Sequence, residues 1–576
     1  MNRLERLAKR IQEIGKSTYK PPPDNLENEQ EYKERWISIY IIYFTMFLIS
    51  LGFSVIVTGV WPYLDKLDPT AGKEFMGYVV AANPLGQMLF SPLVGWWANR
   101  LGSIRIPLLV SLAVFTFSSA VYSALELFVE YRKYWMLWSR FLVGVSSANI
   151  AACRSYLSAA TRLSERTKAV SMISLAQVLG FVIGPALQAT VVPLGNEGVW
   201  LIPQKLKLNM YTAAGWINVF LSVLNFILFL PFIFKEHRIA GREAMLKQGK
   251  ENEKETWMHQ KLDYLSAWTL IVAFFVIVFN FMLLETLGTP LTMDQFAWSK
   301  AEALYYMGIL MSVGAVIACI TFVGINPLCK MFPEAKVMLW GGFLFMVLGR
   351  AVYIPWGNTT PQMYDDSMKY NTSTNASICS SIHNSNASAI LKLNASNYDN
   401  LNLTFSVGSN LANTSTLNNN TNEYNLNNVI KLCNNEELVG CPSSQEWCNY
   451  TPAMTIFQFL LGYVLTCLGY PVGVTLIQTI FSKILGPRPQ GVWMGLMTGS
   501  GCLSRVLGPV FVTFIYTEFG TIWTFSMTTV MMVVSMIWLY LFLERLIPQE
   551  EKQEQPKETE LQELNNFVPI DLEESK

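Results

Sequence analysis

Five ionisable side chains stand inside long apolar stretches of this sequence: Arg140, Arg154, Glu285, Arg350 and Arg505. At membrane depth an ionisable group is costly, which makes it a functional candidate by default. Four cations against one anion is an imbalance, and an unpaired guanidinium in hydrocarbon does not persist. The arginines must meet water, backbone carbonyls, Glu285 or a bound anion. Together they predict a positively charged path that attracts an anionic solute. A guanidinium forks onto a carboxylate or phosphate, whereas a spherical halide gains charge attraction alone. Plainer readings stand beside this one. Arg140, near the outer end of its helix, fits a structural role. Arg154, about 21 Å further along the same helix at 1.5 Å per residue, can snorkel to the inner surface. Arg350 and Arg505, expected near mid-depth, admit both readings. Glu285, expected in the outer third of its helix, is either a proton-coupling carboxylate or the counter-ion of an arginine. Asn83, Gln87, Asn149 and Gln177 fall at similar depths, where hydrogen bonds between helices are their ordinary use.

The elements that must position these groups are membrane helices. Of 576 residues, 51% are hydrophobic and 15% charged, with a mean hydropathy of +0.29; soluble domains carry about 25% charged residues. A helix needs about 20 mostly apolar residues to span a bilayer. Twelve such runs occur, at 37–64, 75–98, 104–124, 135–158, 168–192, 211–234, 264–288, 301–324, 337–356, 452–480, 490–515 and 521–543. The expectation is an all-α membrane protein of two six-helix halves. Its parts are a cytosolic N-terminal tail (1–36), a first half (37–234), a cytosolic linker (235–263), a second half (264–543) and a cytosolic C-terminal tail (544–576). The aromatic content, 13%, suits anchoring at bilayer interfaces. The formal net charge of zero gives nucleic acid no electrostatic footprint.

Basic residues set the orientation. With the N-terminus inside, 28 Lys and Arg fall on the inner side and ten on the outer, as the positive-inside rule requires. The acceptor pattern Asn-X-Ser/Thr occurs at Asn358, Asn371, Asn375, Asn386, Asn394, Asn402, Asn413, Asn419 and Asn449, all in the 357–450 loop between the ninth and tenth runs. Glycans attach on the lumenal side, where this orientation puts that loop. An Asn-rich stretch generates some acceptors by chance, but chance does not confine them to one loop. Four of nine cysteines, Cys379, Cys433, Cys441 and Cys448, share the loop. An oxidising lumen favours disulfides among them, with three connectivities open and a small stapled knot expected beside the tenth run. Three His leave little for a metal site, and no cofactor is expected. No Walker-type phosphate loop, nucleophile elbow or HExxH occurs in the sequence, so neither ATP-driven pumping nor hydrolysis is indicated.

Short motifs narrow the class. After the second run comes Gly95-Trp-Trp-Ala-Asn99-Arg100-Leu-Gly102-Ser-Ile-Arg105, in which Gly102 permits a tight inner turn. The fourth run holds Arg140-Phe141-Leu-Val-Gly144, the fifth Gly180-Phe-Val-Ile-Gly184-Pro185, and the eleventh Gly499-Ser-Gly501 followed by Arg505-Val-Leu-Gly508-Pro509. Gly at i and i+4 offers a smooth face for close helix packing. Gly184-Pro185 and Gly508-Pro509 occupy the fifth run of each half, as parallel six-helix repeats produce. In kind and order these motifs resemble those of the major facilitator superfamily. Asn99 departs from the pattern, which has Asp there; Asn99 can still cap a helix or hydrogen-bond across the gap between halves.

The likeness extends through most of the membrane part. It includes Gly52-Phe53-Ser54-Val55, Trp61-Pro62-Tyr63-Leu64, Leu85-Gly86-Gln87-Met88, Glu285-Thr286 with Thr289-Pro290-Leu291-Thr292-Met293-Asp294, Pro355-Trp356-Gly357-Asn358, Gly469-Tyr470-Pro471-Val472 and Ser482-Lys483-Ile484-Leu485-Gly486-Pro487. These stretches resemble a lysosomal branch of the superfamily. The resemblance implies a multi-pass protein of the late endosomal and lysosomal membrane that conducts or transports anions, chiefly chloride, with a channel-like path that lacks full alternating access as the favoured form, and no enzymatic activity. A proton-coupled carrier of a small organic anion and a non-transporting scaffold or sensor are the alternatives.

Overall fold

The computed structural model describes residues 26–57, 59–68, 71–195, 198–202, 206–258, 262–364 and 439–547. Asn371, Asn375, Asn386, Asn394, Asn402, Asn413, Asn419, Cys379 and Cys433 lie outside the described residues, as does the C-terminal tail from 548.

Among the described residues, twelve helices follow the twelve apolar runs. The first is Glu29–Val57, continued after Gly59 by Val60–Leu67, and the second is Gly72–Leu101. The third is Arg105–Ser123; the fourth comprises Arg132–Ser147 and Asn149–Ala160; the fifth is Leu163–Val191 and the sixth Thr212–Leu228. The seventh, Tyr264–Phe296, and the eighth, Lys300–Met331, are followed by a ninth in three pieces, Glu334–Val337, a π turn over Met338–Phe343 and Leu344–Val352. The tenth is Ile456–Leu485. The eleventh and twelfth lie within Gly491–Leu541 as two helices separated by a kink at Gly520, which takes φ 84°. That left-handed conformation is open to glycine at no steric cost.

Helix starts carry the chemistry expected of them. Asp263 accepts the N–H groups of Leu265 and Ser266 ahead of the seventh helix, and Ser299/Glu302 and Thr455/Gln458 form capping boxes on the eighth and tenth. Each cap occupies amide donors that a helix terminus leaves open.

The two halves repeat one packing scheme. In the first, helix one packs on five, two on four and three on six; in the second, seven packs on eleven, eight on ten and nine on twelve. The halves meet most extensively through two further pairs, two with eleven and five with eight, beside smaller contacts of four on eleven and five on ten. Exchanging the halves turns each of these pairs into the other, which is what two copies of a six-helix unit related by a two-fold axis require.

One face of the bundle carries the start of the first helix, the 235–263 linker and the short turns between helices two and three, four and five, eight and nine, and ten and eleven; we call it the terminus side. An ion cluster ties it together: Arg35 donates to both oxygens of Glu27 at 2.9 Å and to Glu165 at 3.0 Å, and Arg162 reaches Glu27 at 2.8 Å. The opposite loop side carries an antiparallel hairpin, Val199–Ile202 with Leu206–Leu208, between the fifth and sixth helices, which the apolar pattern does not announce.

Several boundaries differ from the sequence expectation. The sixth helix ends at Leu228 instead of 234, because the chain turns through 229–234. The seventh runs on past Pro290 to Phe296, and the first starts at Glu29, so the polar N-terminal tail already contributes two helical turns.

Candidate functional site

Three of the five intramembrane charges converge at the seam between the halves. Arg154 on the fourth helix and Arg505 on the eleventh come from opposite halves and stand within electrostatic range of each other. Glu285 on the seventh helix is in range of Arg505, and Tyr470 on the tenth is in range of all three. Among the described residues no direct salt bridge closes between them. Arg154 and Arg505 are part-exposed and Glu285 is exposed, although every one of them sits on a helix that packs inside the bundle. Arg154 does not snorkel to the terminus-side surface, as the sequence allowed. Its Nη1 donates to Thr498 Oγ1 across the seam at 3.4 Å and its Nη2 to Gln177 Oε1 at 3.3 Å, while Nε has no partner. Both bonds are long and engage neutral acceptors, so Arg154 is not neutralised by a bonded carboxylate. The arrangement is a divided cationic site, one guanidinium per half, with a carboxylate at its edge.

The seam is shut on the terminus side. Gly95 on the second helix and Gly491 at the head of the eleventh are in backbone contact, since a Cβ on either would overlap the other's carbonyl oxygen. Asn99 accepts the Gly491 N–H at 2.9 Å and donates to the Pro489 carbonyl at 3.5 Å. At the companion crossing, Glu334 accepts from the Thr167 hydroxyl of the first half and pairs with Lys483 at 2.9 Å. Arg166 donates to the Ser482 carbonyl at 3.3 Å, and Ser482 donates to Ser158 Oγ at 2.7 Å. The hydrogen bonds that cross between the halves among the described residues lie at this end or at Arg154. The apolar clusters of the loop-side ends, around Tyr63 in the first half and Trp447 in the second, stay within their own halves.

Comparison with known proteins bears on what such a seam is. The sequence profile of the Major Facilitator Superfamily matches residues 42–382 and 447–570. The Xenopus laevis protein "Major facilitator superfamily domain-containing protein 8" is 36% identical over 527 residues, 91% of this chain and 94% of that one. The chain belongs to the major facilitator superfamily. It is a multi-pass membrane transporter of that class. Multidrug resistance protein 2 of Bacillus subtilis is 32% identical over 27% of the chain and 38% of its own length. Among solved structures, the human organic anion transporter MFSD10 matches with a TM-score of 0.55 at 15% identity, over 90% of this chain and 100% of that one. The proton:xylose symporter XylE matches with a TM-score of 0.57 at 11% identity, over 89% and 96%. At such identities these two speak for the fold alone.

The remaining superfamily motifs occupy structural places. Gly102 ends the second helix with φ 65°. Arg100 is exposed and lies over the Trp96 ring at 5.4 Å. A Cβ on Gly180 would come within 2.5 Å of the Phe47 carbonyl and one on Gly184 would overlap Ser54 Oγ, so helices five and one touch along their backbones. Pro185 is accommodated within the continuous fifth helix. The echo in the second half is looser: a Cβ on Gly508 would meet Met282 at an ordinary 3.4 Å, and Pro509 lies inside the eleventh helix.

Arg140 and Arg350 do not join the seam. Each is buried in the core of its own half. Arg140 stacks over Phe53 at 5.4 Å with Nε and Nη1 unpartnered. Arg350 donates from Nη2 to the Asn280 carbonyl at 2.6 Å and lies over Tyr353 at 5.7 Å. It occupies the last turn of the ninth helix, near the loop side and not at mid-depth, because the helix ends at Val352, short of the apolar run's end at 356. Arg140 is held by an aromatic face and Arg350 by an aromatic face and a carbonyl, each inside one bundle, so the groups brought together at the seam are Arg154, Arg505 and Glu285.

A covered loop-side end completes the second half. Cys441 and Cys448 are joined by a disulfide that brackets Trp447. This side chain is 1% exposed and is wedged against Gly520, where a Cβ would stand 2.5 Å from its ring, with Tyr516 at 5.3 Å. Tyr516 donates to Asp294 at 2.8 Å. Sequence reading assigns no place to Trp447 or Tyr516, and it names Asp294 only within a superfamily-like stretch. A lone Trp between two close cysteines was the available signal. Asn358 and Asn449 lie on this side at exposed positions.

Proposed function

We propose that this chain carries anions, chloride the smallest of them, across the late endosomal or lysosomal membrane by alternating access, with both termini cytosolic. The observation that carries the reading is the divided guanidinium pair, Arg154 in one half and Arg505 in the other. Like charges facing across a seam repel, which favours the open state of the unloaded protein. An anion between them reverses the sign of that interaction and draws the halves together, so loading and closure are linked through differential binding. The terminus-side seal at Gly95 and Gly491 favours a rocking carrier over a continuous pore.

The membrane and orientation rest on the lysosomal resemblance, the 28-to-ten bias of basic residues and the acceptor asparagines confined to one loop. The test is anion flux with purified protein in liposomes. Arg154→Ala and Arg505→Ala should each lower flux at least tenfold; flux unaltered in both overturns the reading.

Glu285 beside Arg505 supports proton coupling as a second feature. A carboxylate near a guanidinium releases it to an anion when protonated, so proton and anion would load together. Flux that loses its pH dependence in Glu285→Gln supports the coupling, and unchanged pH dependence removes Glu285 from it.

A further inference from the structure

The seam holds more than charge. Phe281 on the seventh helix and Tyr470 on the tenth stack face to face, with centroids 3.9 Å apart and planes 18° from parallel. Both are part-exposed. Phe281 precedes Glu285 by four residues, which puts the two on one face of the helix. Tyr470 lies within electrostatic range of Arg154, Arg505 and Glu285 at once. An aromatic slab therefore borders the same space as the two guanidiniums.

We infer that Phe281 and Tyr470 make the Arg154–Arg505 site selective for an organic monoanion, a planar carboxylate on a flat apolar body, over a bare halide. The inference rests on the anion reading above and deepens it. Three features argue the class. With Glu285 ionised, two guanidiniums and one carboxylate leave one net positive charge, which a monoanion balances. Each guanidinium offers a planar fork that matches two carboxylate oxygens and that a sphere cannot fill. The slab supplies an offset-stacking surface, and a hydrated halide gains nothing from it. Neither Arg154 nor Arg505 spends its fork on a protein carboxylate among the described residues, and the hydrogen bonds that Arg154 does make are long.

The full chain, purified in detergent and reconstituted in liposomes, is tested with hippurate, acetate and chloride. Hippurate carries both carboxylate and ring, acetate the carboxylate alone, and chloride neither. Half-maximal concentrations are read from thermal stabilisation and from inhibition of chloride flux. Hippurate should act at about tenfold lower concentration than acetate, and acetate below chloride. In Tyr470→Ala the hippurate-to-acetate preference should fall about fivefold, as loss of one aromatic contact predicts, and Tyr470→Phe should restore it. If hippurate is no better than acetate or chloride while chloride flux still depends on Arg154, the selectivity inference is overturned and the anion reading stands. If none of the three anions stabilises the protein or moves, and Arg154→Ala changes nothing, the anion reading falls and the inference with it.

Discussion

Gly95 and Gly491 close the terminus side by touching through their backbones, one on each half, with no side chain between them. The contact is possible because glycine lets two helices approach more closely than any Cβ allows. One turn on, Asn99 adds a hydrogen bond to the same Gly491 N–H. The seal depends on a missing atom group, which makes it unusually easy to break by addition.

Gly95→Leu should therefore prevent closure on the terminus side and hold the protein open there. A cysteine placed at Ser158, which is 2% exposed in the closed seam, should react with a membrane-impermeant thiol reagent at least tenfold faster in the Gly95→Leu background. Labelling at the closed-state rate would show that Gly95 is not part of the seal.

Arg350 and Arg154 should separate fold from flux. Arg350 is fully buried, bound to the Asn280 carbonyl and stacked on Tyr353, so Arg350→Ala leaves a cavity and loses a charge-assisted hydrogen bond; we expect about 3 kcal/mol of lost stability. Arg154→Ala removes a part-exposed group held by two long bonds, and about 1 kcal/mol or less is expected. Thermal unfolding in detergent, set beside liposome flux, checks the pair. A stable, flux-dead Arg350→Ala would return that residue to the transport path.

The helices were legible because their signal is additive: some twenty apolar residues announce a span whatever their order. The Gly-Pro and Gly-rich motifs were legible for the same local reason, each being a turn or a close contact within a few residues. What stayed hidden was lateral. Nothing in the sequence distinguishes the face of Arg154, which reaches Thr498 across 344 positions, from that of Arg140, which turns into its own bundle. Both are single arginines in the same helix, and only the packing of helix four against eleven, rather than against one and three, assigns them different surroundings. Depth was misjudged for Arg350 because apolar residues continue past the helix end into the 353–356 turn. The tie between Thr167, Glu334 and Lys483 was equally invisible, since charged or polar residues at the inner ends of helices read as ordinary surface.

The loop-side cover should be a stability element. Trp447 fills the space over Gly520 and is held by the Cys441–Cys448 bridge. Trp447→Ala should cost about 3 kcal/mol, the range for emptying a buried aromatic site. Reduction of the wild-type protein, or Cys448→Ser, should lower thermal stability in the same direction. If Trp447→Ala unfolds at the wild-type temperature, the cover is an ornament of the loop and not part of the bundle.

Asn99 invites the opposite experiment, strengthening a contact. Its Oδ1 accepts the first free N–H of the eleventh helix, where the aligned peptide dipoles place a partial positive charge. The superfamily pattern carries Asp at this position, and an ionised carboxylate there gains about 0.3–1 kcal/mol over a neutral acceptor; the bond from Nδ2 to the Pro489 carbonyl that it gives up is long at 3.5 Å and weak. Asn99→Asp should therefore deepen the closed state by roughly two- to fivefold in population. Terminus-side labelling of the Ser158 cysteine should slow by that factor. Flux should fall with it, because each cycle must break the contact. If Asn99→Asp speeds transport, or labelling quickens, then the Asn99–Gly491 bond does not hold the seam shut, and closure on this side rests on the glycine contact and the Glu334 cluster alone.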